Sequence, residues 1–292
     1  MIIIKLQGGL GNQLFQYATA LALAKIHNTT VGFDLSFFDS NQKLITPRKF
    51  DLHLLGIPNH KTPIQDLFAY ELVPIPFKKK VSKLFRNLGN KKLYREASFL
   101  YNQTIFKKTS GNCHLTGYFQ SEKYFKSVEQ ELRNTIQRPV INSDIFSSMA
   151  CCNSVSLHVR RGDYINSSST HEFHGVSSLD YYTQAIQFIT SRIQNTHFFV
   201  FSDDLPWVQN AFKDMQGPFI FVDGNHGDKS YLDMVLMSYC KHHIIANSSF
   251  SWWGAWLNPS TTKIVIAPQR WFANEKAQIQ TTDIIPESWI KI

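Results

Sequence analysis

Five short apolar runs in the second half of the chain, Val155–Val159, Phe198–Phe201, Phe219–Val222, Ile244–Ala246 and Ile264–Ala267, alternate with stretches of helical periodicity. The helical stretches run near Leu179–Ile193, Pro206–Met215 and Tyr231–Cys240, and a short one follows Ser251. Strands separated by helical patterns argue for a parallel sheet covered on both faces. In an open α/β sheet, ligands bind in the crevice beyond the carboxyl ends of the strands. Polar residues gather at those ends here. The chain shows no internal repeat and no low-complexity segment.

The first cluster is Ser156-Leu157-His158-Val159-Arg160-Arg161-Gly162-Asp163-Tyr164, a buried strand that ends in a loop with two arginines, a glycine and an aspartate. Arginine offers a planar fork of donors, always charged, that matches phosphate geometry. Gly162 lets the backbone come close, so the loop could anchor a diphosphate, although arginine pairs also serve as structural ion pairs. The second cluster is Ser202-Asp203-Asp204. The third, Asn247-Ser248-Ser249-Phe250-Ser251, opens the helix Trp252–Leu257. Hydroxyls and N–H groups at a helix start suit a phosphate, and a serine N-cap is the plainer reading of the same residues. Three such clusters on one sheet edge favour a small-molecule site.

The first half begins with a strand, Ile2–Leu6, that runs into Gly8-Gly9-Leu10-Gly11-Asn12-Gln13. A helix follows, with Leu14, Phe15, Ala18, Leu21, Ala22 and Ile26 at helical spacing, then a strand Val31–Leu35 containing Asp34. Strand, glycine turn and helix invite a dinucleotide reading with Asp34 on a ribose. The fingerprint opposes it, because Leu14 stands where a small third residue is required. From Ser36 to Gly111 the pattern is irregular. The basic run from Lys78 through Arg86 to Lys91, Lys92 and Arg95 reads as a solvated helix face or as an amphipathic helix at an anionic membrane surface. Leu115–Gln120 reads as a strand, with Ser121 capping a helix that holds Glu122, Tyr124, Phe125 and Leu132. Pro139–Asn153 is polar and irregular, which puts a domain boundary there and gives domains 1–150 and 151–292.

Length and charge agree with this outline. A chain of 292 residues suggests two domains, and a formal net charge of +8 favours anionic partners such as nucleotides, nucleic acid or an acidic membrane. Cys113, Cys151, Cys152 and Cys240 form neither a disulfide framework nor a metal-ligand spacing, which fits a reducing compartment. Met1–Leu6 is too short for a signal peptide core, and no transmembrane segment is visible.

Taken together, Gly8–Ala18, His158–Tyr164 and Asn247–Leu257 resemble the motifs of the bacterial α-1,2-fucosyltransferases of glycosyltransferase family 11. His174-Gly175-Val176, Ser178–Tyr182 and Phe201–Asp204 match as well. The arginine motif also looks like that of α-1,6- and protein O-fucosyltransferases. The resemblance implies an α/β fold of GT-B type, with two Rossmann-like domains facing across a cleft. It implies an acceptor-side domain at 1–150 and a GDP-fucose-binding domain at 151–292, the extreme C-terminus being free to pack back on the first. The implied reaction transfers fucose from GDP-β-L-fucose to the 2-hydroxyl of a terminal β-galactoside, such as lactose or a lipid-linked glycan, with inversion.

By the same resemblance, Arg160 holds the β-phosphate and stabilises departing GDP, with Arg161 and Asp163 supporting the loop. His158, Ser248, Ser249, Phe250, Ser251, Gly9 and Gly11 join the donor site. Asp233 stands where related enzymes set a carboxylate on guanine, and it also reads as a solvent-facing helix residue. Asn12 is implied at the reaction centre, near acceptor and leaving oxygen. An inverting transferase conventionally needs a base in reach of the acceptor hydroxyl, and His174, Glu172, Asp34 and Asp163 are the candidates. Asp203 and Asp204 read as structural or nucleotide-adjacent, and no metal or other cofactor is expected, since arginines can neutralise a diphosphate. Nucleic acid is not expected as a partner, because the strand-end clusters mix cations with acids and hydroxyls. A degenerate transferase acting as a lectin is a third reading, opposed by the intact arginine motif. The lack of an anchor leads to the expectation of a bacterial cytoplasmic enzyme, with Lys78–Arg95 as a peripheral membrane contact.

Overall fold

Among the described residues of the computed structural model every strand pairing is parallel. The structure describes residues 1–39, 48–62, 92–141, 143–162, 172–215 and 217–292. They form two units, Met1–Gln137 and Arg138–Ile292, the pair of parallel α/β units expected of a GT-B chain.

The first unit holds β1 (Ile2–Lys5), α1 (Leu10–Ile26), β2 (Val31–Asp34), β3 (Lys92–Arg95), β4 (Cys113–Thr116) and α2 (Glu129–Thr135), with strand order β2-β1-β4-β3. Gly8 makes the turn into α1 at φ +77°, and a Cβ there would lie 2.5 Å from Asn12 Nδ2. Of the expected apolar face of α1, Leu14, Phe15, Ala18 and Ala22 are buried, whereas Leu21 is only half-buried and Ile26 is exposed; Leu23 is buried instead. Gln13 and Gln16 are fully buried too. Buried amides are tolerated when their hydrogen bonds are made. Gln13 Nε2 donates to the carbonyls of Gly8 (3.0 Å) and Lys49 (2.8 Å), and its Oε1 accepts from Asp51 N–H (2.9 Å). Gln16 Nε2 donates to Gly117 O (3.1 Å) and its Oε1 accepts from Gln7 N–H (3.0 Å). These two glutamines, one turn apart, tie the loops on either side of the helix. Gln13→Leu strands three backbone groups, each costing about 1–3 kcal/mol if water cannot reach it. Urea unfolding is therefore expected to show a loss of roughly 3 kcal/mol, and a loss under about 0.5 kcal/mol would mean the loop does not depend on this amide.

The second unit holds α3 (Asp144–Ala150), β5 (Asn153–Val159), α4 (Leu179–Thr190), β6 (Thr196–Ser202), α5 (Leu205–Ala211), β7 (Phe219–Phe221), α6 (Tyr231–Tyr239), β8 (His242–Ile244), α7 (Ser249–Leu257), β9 (Val265–Ala267), α8 (Glu275–Gln278) and β10 (Ile290–Lys291). Strand order is β10-β9-β8-β5-β6-β7. The chain steps outward from β5 to β7, then returns past β5 and builds the other half, so its direction reverses at the β5/β8 pair. Both faces are covered. Phe198 and Val200 of β6 pack with Tyr182, Ile186 and Phe212 on one face. Phe199 and Phe201 pack with Met149, Leu236 and Met237 on the other.

One buried set has the residue types of a hydrolase but not its chemistry. Ser156 Oγ lies 2.8 Å from His243 Nδ1, and Asn258 Nδ2 lies 2.9 Å from His243 Nε2. With the amide donating to Nε2, the ring proton sits on Nδ1 and is donated to the serine oxygen, the reverse of a general base. All three residues are buried, and the set pins β5 to β8.

Several expectations are corrected. Pro139–Asn153 is not irregular, because Ser143 Oγ caps α3 at Phe146 N–H (3.1 Å). Ile145, Phe146 and Met149 then pack into the second core. The division accordingly falls at Gln137/Arg138 rather than after residue 150. The extreme C-terminus stays with the second unit, as β10 pairs with β9 (Ile290 opposite Ile266). Leu115–Gln120 is strand only as far as Thr116. The end of the basic run, Lys92–Arg95, is an edge strand rather than a helix face, and Lys78–Lys91 with Asp163 lie outside the described residues. Among the described residues no helix is long and apolar enough to cross a membrane.

Candidate active site

The reversal of the second sheet sets the crevice where β5 and β8 end. Arg160, Arg161 and Gly162 follow β5, and Asp203 follows β6. The Asp203 carboxylate accepts from Arg161 N–H (2.8 Å) and Gly162 N–H (2.9 Å) and pairs with Arg160 Nη1 (3.2 Å). One carboxylate thereby shapes the loop and aims one guanidinium. Arg161 turns away from it, its Nε 3.5 Å from Asp204 Oδ2 and its guanidinium carbon 3.5 Å above the Trp207 ring. Asp204 also caps α5. Ser202-Asp203-Asp204 is thus the scaffold of the arginine loop. A Cβ at position 162 would stand 2.9 Å from Asp203 Oδ2 and press on the carboxylate that shapes the loop.

Beyond β8, Asn247 is buried, and its Nδ2 donates to the carbonyls of His174 (3.0 Å), Gly175 (3.3 Å) and Trp271 (3.1 Å). It joins three segments that sequence separates. Ser248 caps α7 through Phe250 N–H (3.3 Å). Ser249 and Phe250 are half-buried at the helix start, where first-turn N–H groups lack intrahelical partners. Ser251 is a correction: it is fully buried, and its hydroxyl is spent on the Ser248 carbonyl (3.3 Å), so it locks the turn. His158 is 4% exposed, lies against the Phe250 ring at 5.9 Å, and has no partner for Nδ1 among the described residues.

Burial, reinforced by the Arg160 charge, drives the His158 pKa down to about 3, and burial with Lys263 holds His243 well below its usual value. Burial acts oppositely on carboxyls, lifting Glu96 to about 7 and Asp233 to about 6. The signs follow from linkage. The histidines contribute stability that is complete above about pH 6.5 and is lost as pH falls toward their folded values. Glu96 and Asp233 contribute stability that is complete at acid pH and is lost as pH rises through about 7 and 6 respectively. Between roughly pH 6.5 and 4.5 the two pairs oppose each other. Unfolding free energy is expected to change little there and to fall below about pH 4, where the carboxyls no longer offset the histidines. Urea melts across pH 3–8 check this, and a steady decline starting at pH 6.5 would contradict it.

Asp233 sits in the first turn of α6, half-buried, and its Oδ1 accepts from Asn225 Nδ2 (2.7 Å). His174 is half-buried between Phe173 and Phe272 and lines a cavity of about 360 Å³ with Ser177, Asp180, Asn247 and Arg270. Glu172 is exposed.

In the first unit, direction reverses between β1 and β4, and the glycine turn lies at that edge. Gly9 is half-buried, with the Arg48 guanidinium 3.8 Å from where its Cβ would stand, and Gly11 is buried inside α1. Asn12 is half-buried at the start of α1, its Oδ1 accepting from Gln120 Nε2 (2.8 Å). Asp34 is not available as a base. It is fully buried, with Oδ2 3.0 Å from His114 Nε2 and Oδ1 accepting from Ser36 N–H (2.9 Å). Burial alone would raise its pKa, but these bonds hold it below the usual carboxylate value.

The family model described as glycosyl transferase family 11 matches residues 1–292. The chain belongs to glycosyl transferase family 11. This family 11 chain is 34% identical over 299 residues to an alpha-1,2-colitosyltransferase of Escherichia coli, covering 100% of this chain and 99% of that protein. It is 35% identical over 308 residues to the O-antigen biosynthesis glycosyltransferase WbnK of Escherichia coli, covering 98% and 99%. Among solved structures, an arginine-to-lysine mutant of Arabidopsis thaliana FUT1 in complex with GDP is 12% identical, with a TM-score of 0.49 and coverage of 99% of this chain and 75% of that one.

In this family 11 chain nothing in the residue order marks Arg48, Glu96, Gln120 or the ties made by Gln13, Gln16 and Asn247. Arg48 and Glu96 lie in the irregular stretch, where no periodicity marks them. The glutamines stand inside a motif, but a buried amide and a ligand-facing amide look alike in sequence.

Proposed function

We propose that this transferase moves L-fucose from GDP-β-L-fucose to the 2-hydroxyl of a terminal β-galactoside in the synthesis of an O-antigen-like surface glycan. The observation that carries the reading is Arg160, aimed by Asp203 at the carboxyl end of β5, on the same crevice as the start of α7. The acceptor oxygen attacks the fucosyl anomeric carbon from the face opposite the diphosphate. The bond from that carbon to the β-phosphate oxygen breaks, GDP leaves with the electron pair, and the linkage inverts from β to α.

Charge grows on the leaving oxygen, and preorganised cations and N–H groups stabilise such charge without reorganisation. Arg160 supplies the cation. Ser249 and Phe250 supply the helix start, Ser248 and Ser251 hold it in shape, and Asp233 is assigned to guanine N–H groups. His158, neutral at working pH, backs the donor site through its contact with the Phe250 ring. Arg161 supports the loop, as Asp163 is assigned to do. Gly8 and Gly9 shape the turn that presents Asn12 and Gly11 lies in the first turn of α1 behind it, and the Asn12 NH2 group donates to an acceptor oxygen. His174, Glu172 and Asp163 remain the candidate bases, and the acceptor proton leaves through one of them or through the departing phosphate. With Arg160 and the helix start meeting the diphosphate charge, no metal is required.

The test is product formation from GDP-fucose and lactose in EDTA. The expected result is 2′-fucosyllactose and stoichiometric GDP, at a rate unchanged by chelation. GDP without fucosylated product would overturn the acceptor, and a loss in EDTA restored by Mg²⁺ or Mn²⁺ would overturn metal independence. A second donor is favoured by the full-length likeness to a colitosyltransferase. Colitose is L-fucose without the 3-hydroxyl. A site that hydrogen-bonds that hydroxyl discriminates strongly against the deoxy sugar, whereas an apolar pocket does not. The ratio of kcat/KM for GDP-fucose and GDP-colitose decides between them.

A further inference from the structure

Glu96 follows β3 directly, and its carboxylate reaches across to the loop after β4. Oε2 accepts from Tyr118 N–H (2.7 Å) and Oε1 from Phe119 N–H (3.0 Å). Contact is so close that a Cβ on Gly117 would lie 2.4 Å from Glu96 Cβ. Phe119, fully buried, is held at φ +52°, a region that side chains other than glycine rarely adopt. Such a conformation persists where its surroundings over-determine it, and it clusters at functional sites. The next residue is Gln120, 8% exposed. Its Nε2 donates to Asn12 Oδ1 (2.8 Å), and its Oε1 has no partner among the described residues.

The chain of contacts therefore runs from a buried carboxylate, through a strained turn, to an amide that fixes which end of Asn12 faces outward. With Oδ1 held by Gln120, Asn12 presents its NH2 group. We propose that Glu96 is a positioning residue for the Asn12 amide, acting through the Phe119 turn and Gln120. The assignment rests on the reading of Asn12 given above. The geometry needs both carboxylate oxygens as acceptors, so protonating Glu96 loosens the turn. Burial puts that titration near pH 7 against the pull of the two N–H groups. The titratable groups facing it among the described residues are Tyr94 on β3, Tyr118 in the loop and Tyr124 in the following turn. All three are phenols and stay neutral there.

Wild-type kcat at saturating lactose is expected to fall as pH drops below about 7. Glu96→Gln is expected to lose about tenfold in kcat and to lack that limb, with GDP binding by calorimetry unchanged. Gln120→Ala is expected to lower kcat similarly, and the double variant to be no worse than the worse single one, because both act on one amide. A wild-type limb that persists in Glu96→Gln overturns the proposal, as do additive losses in the double variant. If wild type forms no product from any nucleotide sugar, the functional reading fails instead. The clamp is then judged from crystal structures of wild type and Glu96→Gln. An unchanged 117–120 loop and Gln120–Asn12 bond in the variant overturn it.

Discussion

Arg160→Ala is expected to lower kcat for glycosyl transfer by about 10²–10³-fold, the usual effect of removing one preorganised group from developing charge. The variant should still fold. Asp203 keeps two of its three partners, the Arg161 and Gly162 N–H groups, so the loop retains its shape. Arg160 is also partly exposed, with 21% side-chain accessibility, and leaves no core cavity. Arg160→Lys retains the charge but loses the fork, and an intermediate loss of about tenfold is expected. Initial rates with GDP-fucose and lactose measure both, alongside thermal melts. An alanine variant within threefold of wild type would remove Arg160 from the mechanism.

The second large effect is at Asn12. Because Gln120 donates to its Oδ1, the NH2 group is the end that can serve an acceptor oxygen. Asn12→Asp preserves the contact with Gln120 and replaces the donor by a second acceptor. A loss of about 100-fold in kcat at saturating acceptor is expected, matching that of Asn12→Ala. If Asn12→Asp is as active as wild type, or more so, the residue works as an acceptor or base and the assigned orientation of its amide is wrong. Gly8→Ala should move activity in the same direction as Asn12→Ala, because its Cβ would press on Asn12 Nδ2 at 2.5 Å.

Much of the site was visible in the order of residues because strand ends are local. The apolar run up to Val159 had to stop where two arginines and a glycine begin. A serine-rich turn before Trp252 had to be a helix start. What the runs could not convey is which polar residue points outward. Asp34 and Asn12 both stand beside the glycine turn, yet Asp34 is sealed against His114. Ser249 and Ser251 differ by two positions in one helix, and rotation about the helix axis leaves one at the rim and buries the other. The Pro139–Asn153 boundary misread a short amphipathic helix, since Ile145, Phe146 and Met149 over seven residues carry too little periodicity to declare a face.

The α/β class, the alternation that makes the second sheet parallel, and the family are legible in the residue order, because each is written in contiguous residues. The strand orders, and with them the two reversal points, emerge on folding. Folding alone brings Glu96, Gln120 and Asn12 into one line and spends Asp203 on the arginine loop. The physical reason is that parallel strands are joined by crossovers, so residues that meet at a sheet edge are separated by tens of positions. Their hydrogen bonds depend on register and burial rather than on spacing along the chain.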